Sequence, residues 1–122
     1  MIPVIVGLDH VQLAAPPGCE EEARRFFGEL LGLTEVVKPE PLDGRGGVWF
    51  ALGGQQLHVG VEEEHRPALK AHPALAVRDL DSLAALLEAA GVPIEWDASP
   101  PDVRRFYAAD PWGNRIELVD AR

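Results

Sequence analysis

The chain has 122 residues, 47% of them hydrophobic and 25% charged, and a formal charge of −9. Its size and composition suit one soluble globular domain with a working core. Acidic clusters at Glu20–Glu22 and Glu62–Glu64 argue against a nucleic-acid partner, whose phosphates attract basic surfaces. The apolar runs are too short for a membrane span, and the N-terminus lacks a signal-peptide pattern. With a single cysteine no intrachain disulfide can form, and a cytoplasmic location is expected.

The first strand is predicted over 4–14. Val11 and Leu13 share one face, and Leu8, His10 and Gln12 share the other, because side chains alternate along a strand. A loop at Pro16-Pro17-Gly18 follows. The stretch CEEEARRFFGELLG (19–32) predicts a helix in which Ala23, Phe26, Phe27, Leu30 and Leu31 form one apolar stripe. Its glutamates fall in the first turn and Gly32 supplies the stop. A cysteine at this helix N-terminus would have a lowered thiol pKa, although no partner for Cys19 lies nearby and an inert thiol is expected. Strands over 32–38, 46–52 and 55–62 come next, with Pro39, Pro41 and DGRGG marking loop. Residues 63–70, polar and containing Pro67, form a linker in which His65 is expected to be exposed. The second half repeats the pattern: strand 71–77, helix DLDSLAALLEAAG, then strands 92–96, 103–109 and 114–120, with SPPD (99–102) as loop. In that helix Leu83, Leu86, Leu87 and Ala90 form the expected stripe, Asp79 or Asp81 the cap, and Gly91 the stop.

The two halves are copies. HVQLAA (10–15) is answered by HPALAV (72–77), at an offset of 72 − 10 = 62 residues. After the helices GGQQLHV (53–59) overlays WGNRIEL (112–118), so His58 falls on Glu117 at an offset of 117 − 58 = 59. The chain therefore reads as α+β: a single domain (1–122) of two βαβββ modules, about 4–62 and 71–120, joined by the linker.

The repeat also sorts the polar residues. Leu57, Val59, Leu75, Val77, Ile116 and Leu118 take the faces expected under the helices. His10, His58, His72 and Glu117 then point from the opposite face at repeat-equivalent places. Three imidazoles and one carboxylate converging on a cavity would suit a divalent Zn, Ni, Mn, Co or Fe ion, with open positions for a chelating substrate or water.

Two βαβββ modules carrying these four residues, and closing with DPWGNRIEL (110–118), resemble the vicinal oxygen chelate superfamily. That group includes glyoxalase I, methylmalonyl-CoA epimerase, extradiol dioxygenases, fosfomycin-resistance thiol transferases and bleomycin-resistance proteins. The resemblance runs from Leu8 to Val119. It implies the glyoxalase/bleomycin resistance/dioxygenase fold, in which curved mixed sheets form a cup around a metal. It also implies His10, His58, His72 and Glu117 as ligands. His10, His72 and Glu117 match the triad of the dioxygenases and fosfomycin enzymes; the fourth place, Glu in glyoxalase I and Gln in the epimerase, is His58 here.

In fosfomycin-resistance proteins a tyrosine three residues before the Asp of the closing motif lines the substrate cavity. Tyr107, with Arg105 on the same face, is thus the expected substrate-binding pair, Arg105 suiting a carboxylate or phosphonate. Trp49 and Phe50 are adjacent and face opposite ways, so one walls the cavity and the other packs under a helix.

The resemblance implies a glyoxalase-like, metal-dependent lyase or isomerase acting on a small vicinal-oxygen substrate, with Glu117 moving the proton. Two alternatives stand beside it. One is Fe(II) extradiol-type dioxygenation; the other is non-catalytic sequestration of a cationic drug, which the negative charge favours. A homodimer is expected, because small open cups leave sheet edges that a partner covers.

Overall fold

The computed structural model describes residues 2–99 and 101–121, without the side chains of residues 41 and 43. Two four-stranded sheets are present. The first orders β1 (His10–Ala15), β4 (Gln55–Val61), β3 (Val48–Leu52) and β2 (Thr34–Val36); the second orders β5 (Ala74–Val77), β8 (Arg115–Asp120), β7 (Arg105–Ala109) and β6 (Ile94–Asp97). In each sheet the first strand runs parallel to the last, and the remaining pairs are antiparallel. The α+β architecture of two βαβββ modules with curved mixed sheets is therefore the observed one.

The strand predicted over 4–14 starts only at His10. The reason lies in β4, which begins at Gln55 after the turn at Gly53-Gly54, so in the parallel register residues before Asp9 run past its end. Gln55 Nε2 still donates to the Leu8 carbonyl at 3.1 Å. Upstream, Val4 and Val6 are more than 90% exposed. In the second module the predicted 71–77 shrinks to Ala74–Val77, which leaves His72 just ahead of the strand. Pro73 cannot donate to a ladder, but its carbonyl accepts from Glu117 N at 3.0 Å.

The first helix opens as α1 (Glu20–Ala23) and continues as a π-helical segment, Arg24–Leu30. Leu31 N reaches back five residues to Phe26 O at 3.0 Å. This wider winding lets the consecutive residues Phe26 and Phe27 both face the core. In α2 (Leu80–Ala89) Asp79 is the cap, its carboxylate accepting from Ser82 N at 3.2 Å. The buried stripe is Leu80, Ala84 and Leu87, with Leu83 partly buried. Leu86, 47% exposed, and Ala90 fall outside it. Starting the helix at Leu80 puts the 3.6-residue repeat on 80, 84 and 87.

Residues 40–45, predicted as loop, contain a short 3-10 helix, Glu40–Arg45. Its far end is tied down where Gly47 N donates to Glu20 Oε2 at 2.7 Å and Lys38 Nζ donates to the Gly46 carbonyl at 2.7 Å. Of the predicted loop 99–102, Pro100 lies outside the described residues.

The buried faces of both sheets, the π-helical segment and α2 make one apolar cluster, with Phe27, Phe50, Leu57, Leu87, Phe106 and Ile116 fully enclosed. A polar staple also crosses between modules. Asn114, 2% exposed, donates from Nδ2 to Asp110 Oδ2 at 2.7 Å and to the Ala14 carbonyl of β1 at 2.8 Å. Its Oδ1 accepts from Ala68 N, in the linker, at 3.0 Å. Among the described residues, no helix is long and apolar enough to cross a membrane.

Candidate functional site

Across the first sheet, the face opposite the core carries Gln12 on β1, His58 on β4 and Trp49 on β3, placed side by side by the strand register. His58 is buried between two rings. The Trp49 indole stacks on it at 3.7 Å with an interplanar angle of 2°, and His10 stacks at 4.2 Å and 21°. Burial, and then the nearby His10, push the His58 pKa down, favouring the neutral ring. Its Nε2 lies 2.8 Å from Gln56 Oε1. An amide oxygen only accepts, so Nε2 carries the proton and Nδ1 keeps its lone pair. His10 Nδ1 contacts Asp9 Oδ1 at 2.9 Å, and by the same reasoning Nδ1 donates and Nε2 keeps the lone pair.

The second sheet repeats the design. Glu117 on β8 is flanked by Ala74 on β5 and Tyr107 on β7, as His58 is by Gln12 and Trp49. His72 Nδ1 meets the Lys70 carbonyl at 2.9 Å, which makes Nδ1 the donor. Its Nε2 then faces Glu117 Oε1 at 3.0 Å. With a neutral imidazole both atoms of this contact are acceptors, so the pair is satisfied by a cation between them or by protonating His72. Two cis ligands at metal–donor distances of about 2.1 Å stand about 3.0 Å apart, so the spacing fits an ion. Carbonyl or carboxylate partners on the remote ring nitrogens are also the usual support of metal-binding histidines.

The four predicted ligands come together as two pairs, His10 with His58 and His72 with Glu117. Among the described residues, no three His, Cys, Asp or Glu side chains gather around one point. The sequence leaves open whether the modules pair within one chain or across two; here the two pairs stand on separate sheets, one in each module.

Trp49 is the aromatic that lies against the site. Phe50, fully buried at 5.8 Å from the Phe27 ring, packs under the helix and leaves the substrate-binding set. Tyr107 stands at 5.5 Å from His72 and under the Arg115 guanidinium at 3.9 Å. Arg105 does reach the site, but its charge is already engaged: Nη2 contacts Asp97 Oδ2 at 3.0 Å and Nη1 contacts Glu117 Oε2 at 3.4 Å.

Two smaller expectations change. Cys19 is buried, and burial followed by the Glu20 charge pushes its thiol pKa up rather than down. His65 is half-buried rather than exposed, with Nε2 enclosed. Sequence reasoning missed the groups that set the histidine tautomers: Asp9, Gln56 and the Lys70 carbonyl. Asp9 and Gln56 sit within two residues of a predicted ligand, and that proximity was the available signal.

The sequence pattern of the Glyoxalase/Bleomycin resistance protein/Dioxygenase superfamily matches residues 7–118. A protein of the glyoxalase family from Bacillus anthracis superposes with a TM-score of 0.96 at 50% identity, covering 100% of both chains. Lactoylglutathione lyase from Agrobacterium tumefaciens gives 0.76 at 20% identity, over 97% of this chain and 96% of that one. A mutant of the fosfomycin resistance protein FosX from Listeria monocytogenes, complexed with Mn(II) and 1S,2S-dihydroxypropylphosphonic acid, gives 0.81 at 16%, over 98% and 95%. At these lower identities the likeness is one of fold. Among proteins with curated descriptions none matches. From the pattern match and the two repeated modules together, the chain belongs to the glyoxalase/bleomycin resistance protein/dioxygenase superfamily.

Proposed function

We propose that the protein is a divalent-metal-dependent enzyme of glyoxalase type, acting on a small substrate with vicinal oxygens. The observation that carries this reading is the His72–Glu117 contact, in which an imidazole nitrogen faces a carboxylate oxygen at 3.0 Å, the spacing of two cis ligands on one ion, with the other ring nitrogen on a carbonyl. The ion would be held by His10 and His58 of one copy and by His72 and Glu117 of a second, in a homodimer with two such sites. Each chain supplies two donors at each of two places, which is the inventory a two-fold axis needs. The apolar arm formed by Ile2, Val4, Ile5, Val6 and Leu8, 68–94% exposed, further supports a second copy.

When bound, the ion would supply Lewis-acid polarisation of the substrate oxygens. The chain's own residues do the rest. Glu117, the one carboxylate of the set, is the residue that takes or returns the proton, while Arg105 on Oε2 steadies its orientation. Trp49 and Tyr107 wall the two sides.

Protein purified without chelator or affinity-tag metal, then reconstituted with Zn²⁺, Ni²⁺, Mn²⁺, Co²⁺ and Fe²⁺ in turn, should hold about one ion per chain, the stoichiometry of a four-donor set. Sedimentation should give a mass near twice 13.2 kDa. Protein that retains none of the five ions removes the metal reading, and a monomer at micromolar concentration removes the shared site.

A further inference from the structure

We propose that the substrate carries, beyond its vicinal oxygens, a distal carboxylate, and that it is held in a cavity of about 260 Å³ on the first module's face, by Arg45 and Gln12 beside Trp49. This rests on the metal-site reading above and adds the substrate's class to it. Gln12 and Trp49 are the two cross-strand neighbours of His58, and both line the cavity. The cavity is therefore next door to the ligand pair, with the Trp49 indole as the shared wall.

Its chemistry is specific. Lys38 and Arg45 line it, and among the described residues that do so there is no carboxylate, in a chain whose formal charge is −9. Among the described residues, the arginine ion pairs engage Arg24, Arg104 and Arg105, and none of them engages Arg45. Lys38 is pinned to the carbonyls of Gly46 and Gly47 at 2.7 and 3.2 Å, and its charge is shared with the Glu20 carboxylate that accepts from Gly47 N. Arg105, which the sequence offers as the anion clamp, is already matched by Asp97 and Glu117. The task passes to Arg45, whose fork suits a planar carboxylate.

Gly60 makes the room. A Cβ there would stand 2.6 Å from Gln12 Nε2, so any other residue would push the amide out of place. Leu42 and Val61 on the walls suit the methylene chain linking the two polar ends.

The test compares 2-oxoadipate with 2-oxohexanoate, which has the same head and length but no distal carboxylate, by calorimetry on zinc-loaded wild type and Arg45→Gln. Wild type should prefer 2-oxoadipate by about tenfold or more, the scale of a charge-assisted hydrogen bond. Arg45→Gln should narrow the preference to about twofold, leaving zinc content and 2-oxohexanoate affinity unchanged; Arg45→Lys should restore part of it. Equal affinities in zinc-loaded wild type, or a preference intact in Arg45→Gln, overturn the proposal. Protein that takes up no zinc fails the metal reading instead, and the cavity is then tested alone. In metal-free ¹⁵N-labelled protein, hexanoate should shift the Trp49 indole N–H signal in wild type and not in Arg45→Gln. No shift, or the same shift in both, overturns the proposal.

Discussion

Replacing Asn114 with Ala should cost about 4 kcal/mol of folding stability. The side chain is 2% exposed and makes three hydrogen bonds, to the Ala14 carbonyl, from Ala68 N, and to the Asp110 carboxylate. The two neutral bonds contribute about 1 kcal/mol each and the charge-assisted one about 1.5–3 kcal/mol. Alanine can replace none of them, and the methyl leaves buried acceptors unpaired. A domain of this size has about 5–15 kcal/mol in total, so the variant should be close to unfolding at 37 °C. Urea denaturation followed by tryptophan fluorescence measures the difference, with the slope compared to detect a changed native state. Asn114→Asp is a sharper control. It keeps the acceptor for Ala68 N but sets a second carboxylate against Asp110, and it should be no more stable than the alanine variant at neutral pH. A loss below about 1 kcal/mol for Asn114→Ala would refute the view that this residue joins the modules.

Glu117→Gln, which keeps the shape but removes the only anionic ligand, should weaken metal binding in a competition titration and abolish turnover of any α-oxygenated substrate. His58→Gln should be milder, retaining the ion through His10, His72 and Glu117. If neither variant differs from wild type in metal or ligand titrations, the cluster is a solvated face. The Gly47 N–H bond holds the Glu20 carboxyl below its ordinary pKa. That tether therefore contributes stability above the unfolded-state pKa and loses it as pH falls through the lower, folded one. Acid titration of wild type against Glu20→Gln, read by hydrogen exchange at the Gly47 amide, should show this extra acid-limb opening in wild type alone. Cys19, buried and with its thiol pKa pushed up, should react with a disulfide reagent at pH 8 only as the protein unfolds; prompt labelling of native protein would contradict that placement.

Much of the architecture was legible because the chain states it twice. Alternation put His10, His58 and Glu117 opposite Leu13, Leu57 and Leu118, and the strands observe that assignment. Asp79 as the α2 cap was likewise readable from local chemistry. Contacts distant in sequence were not. Nothing near Arg105 reveals that Asp97 and Glu117 will neutralise it, since that depends on β6, β7 and β8 lying side by side. The β1 start was missed for a related reason: a strand ends where its neighbour ends, and β4 begins at a turn. The π-helical winding of 24–30 left the stripe of apolar residues readable but hid the change of period. The closing DPWGN was recognised as a marker, whereas its physical work, a buried asparagine bracing the other module, appears only in three dimensions.

The separation of the ligands into two pairs on one rigidly stapled chain has a genetic consequence. In the shared-site arrangement, one copy lacking Glu117 and another lacking both His10 and His58 are each defective alone, because both cavities of either homodimer carry the lesion. Mixed and reassembled, they form heterodimers in which both lesions fall on the same cavity, leaving the other cavity whole. Two inactive alleles would then rescue each other, whereas two alleles altered at the same residue would not. The pattern of rescue among His10, His58, His72 and Glu117 variants would map which residues belong to which half.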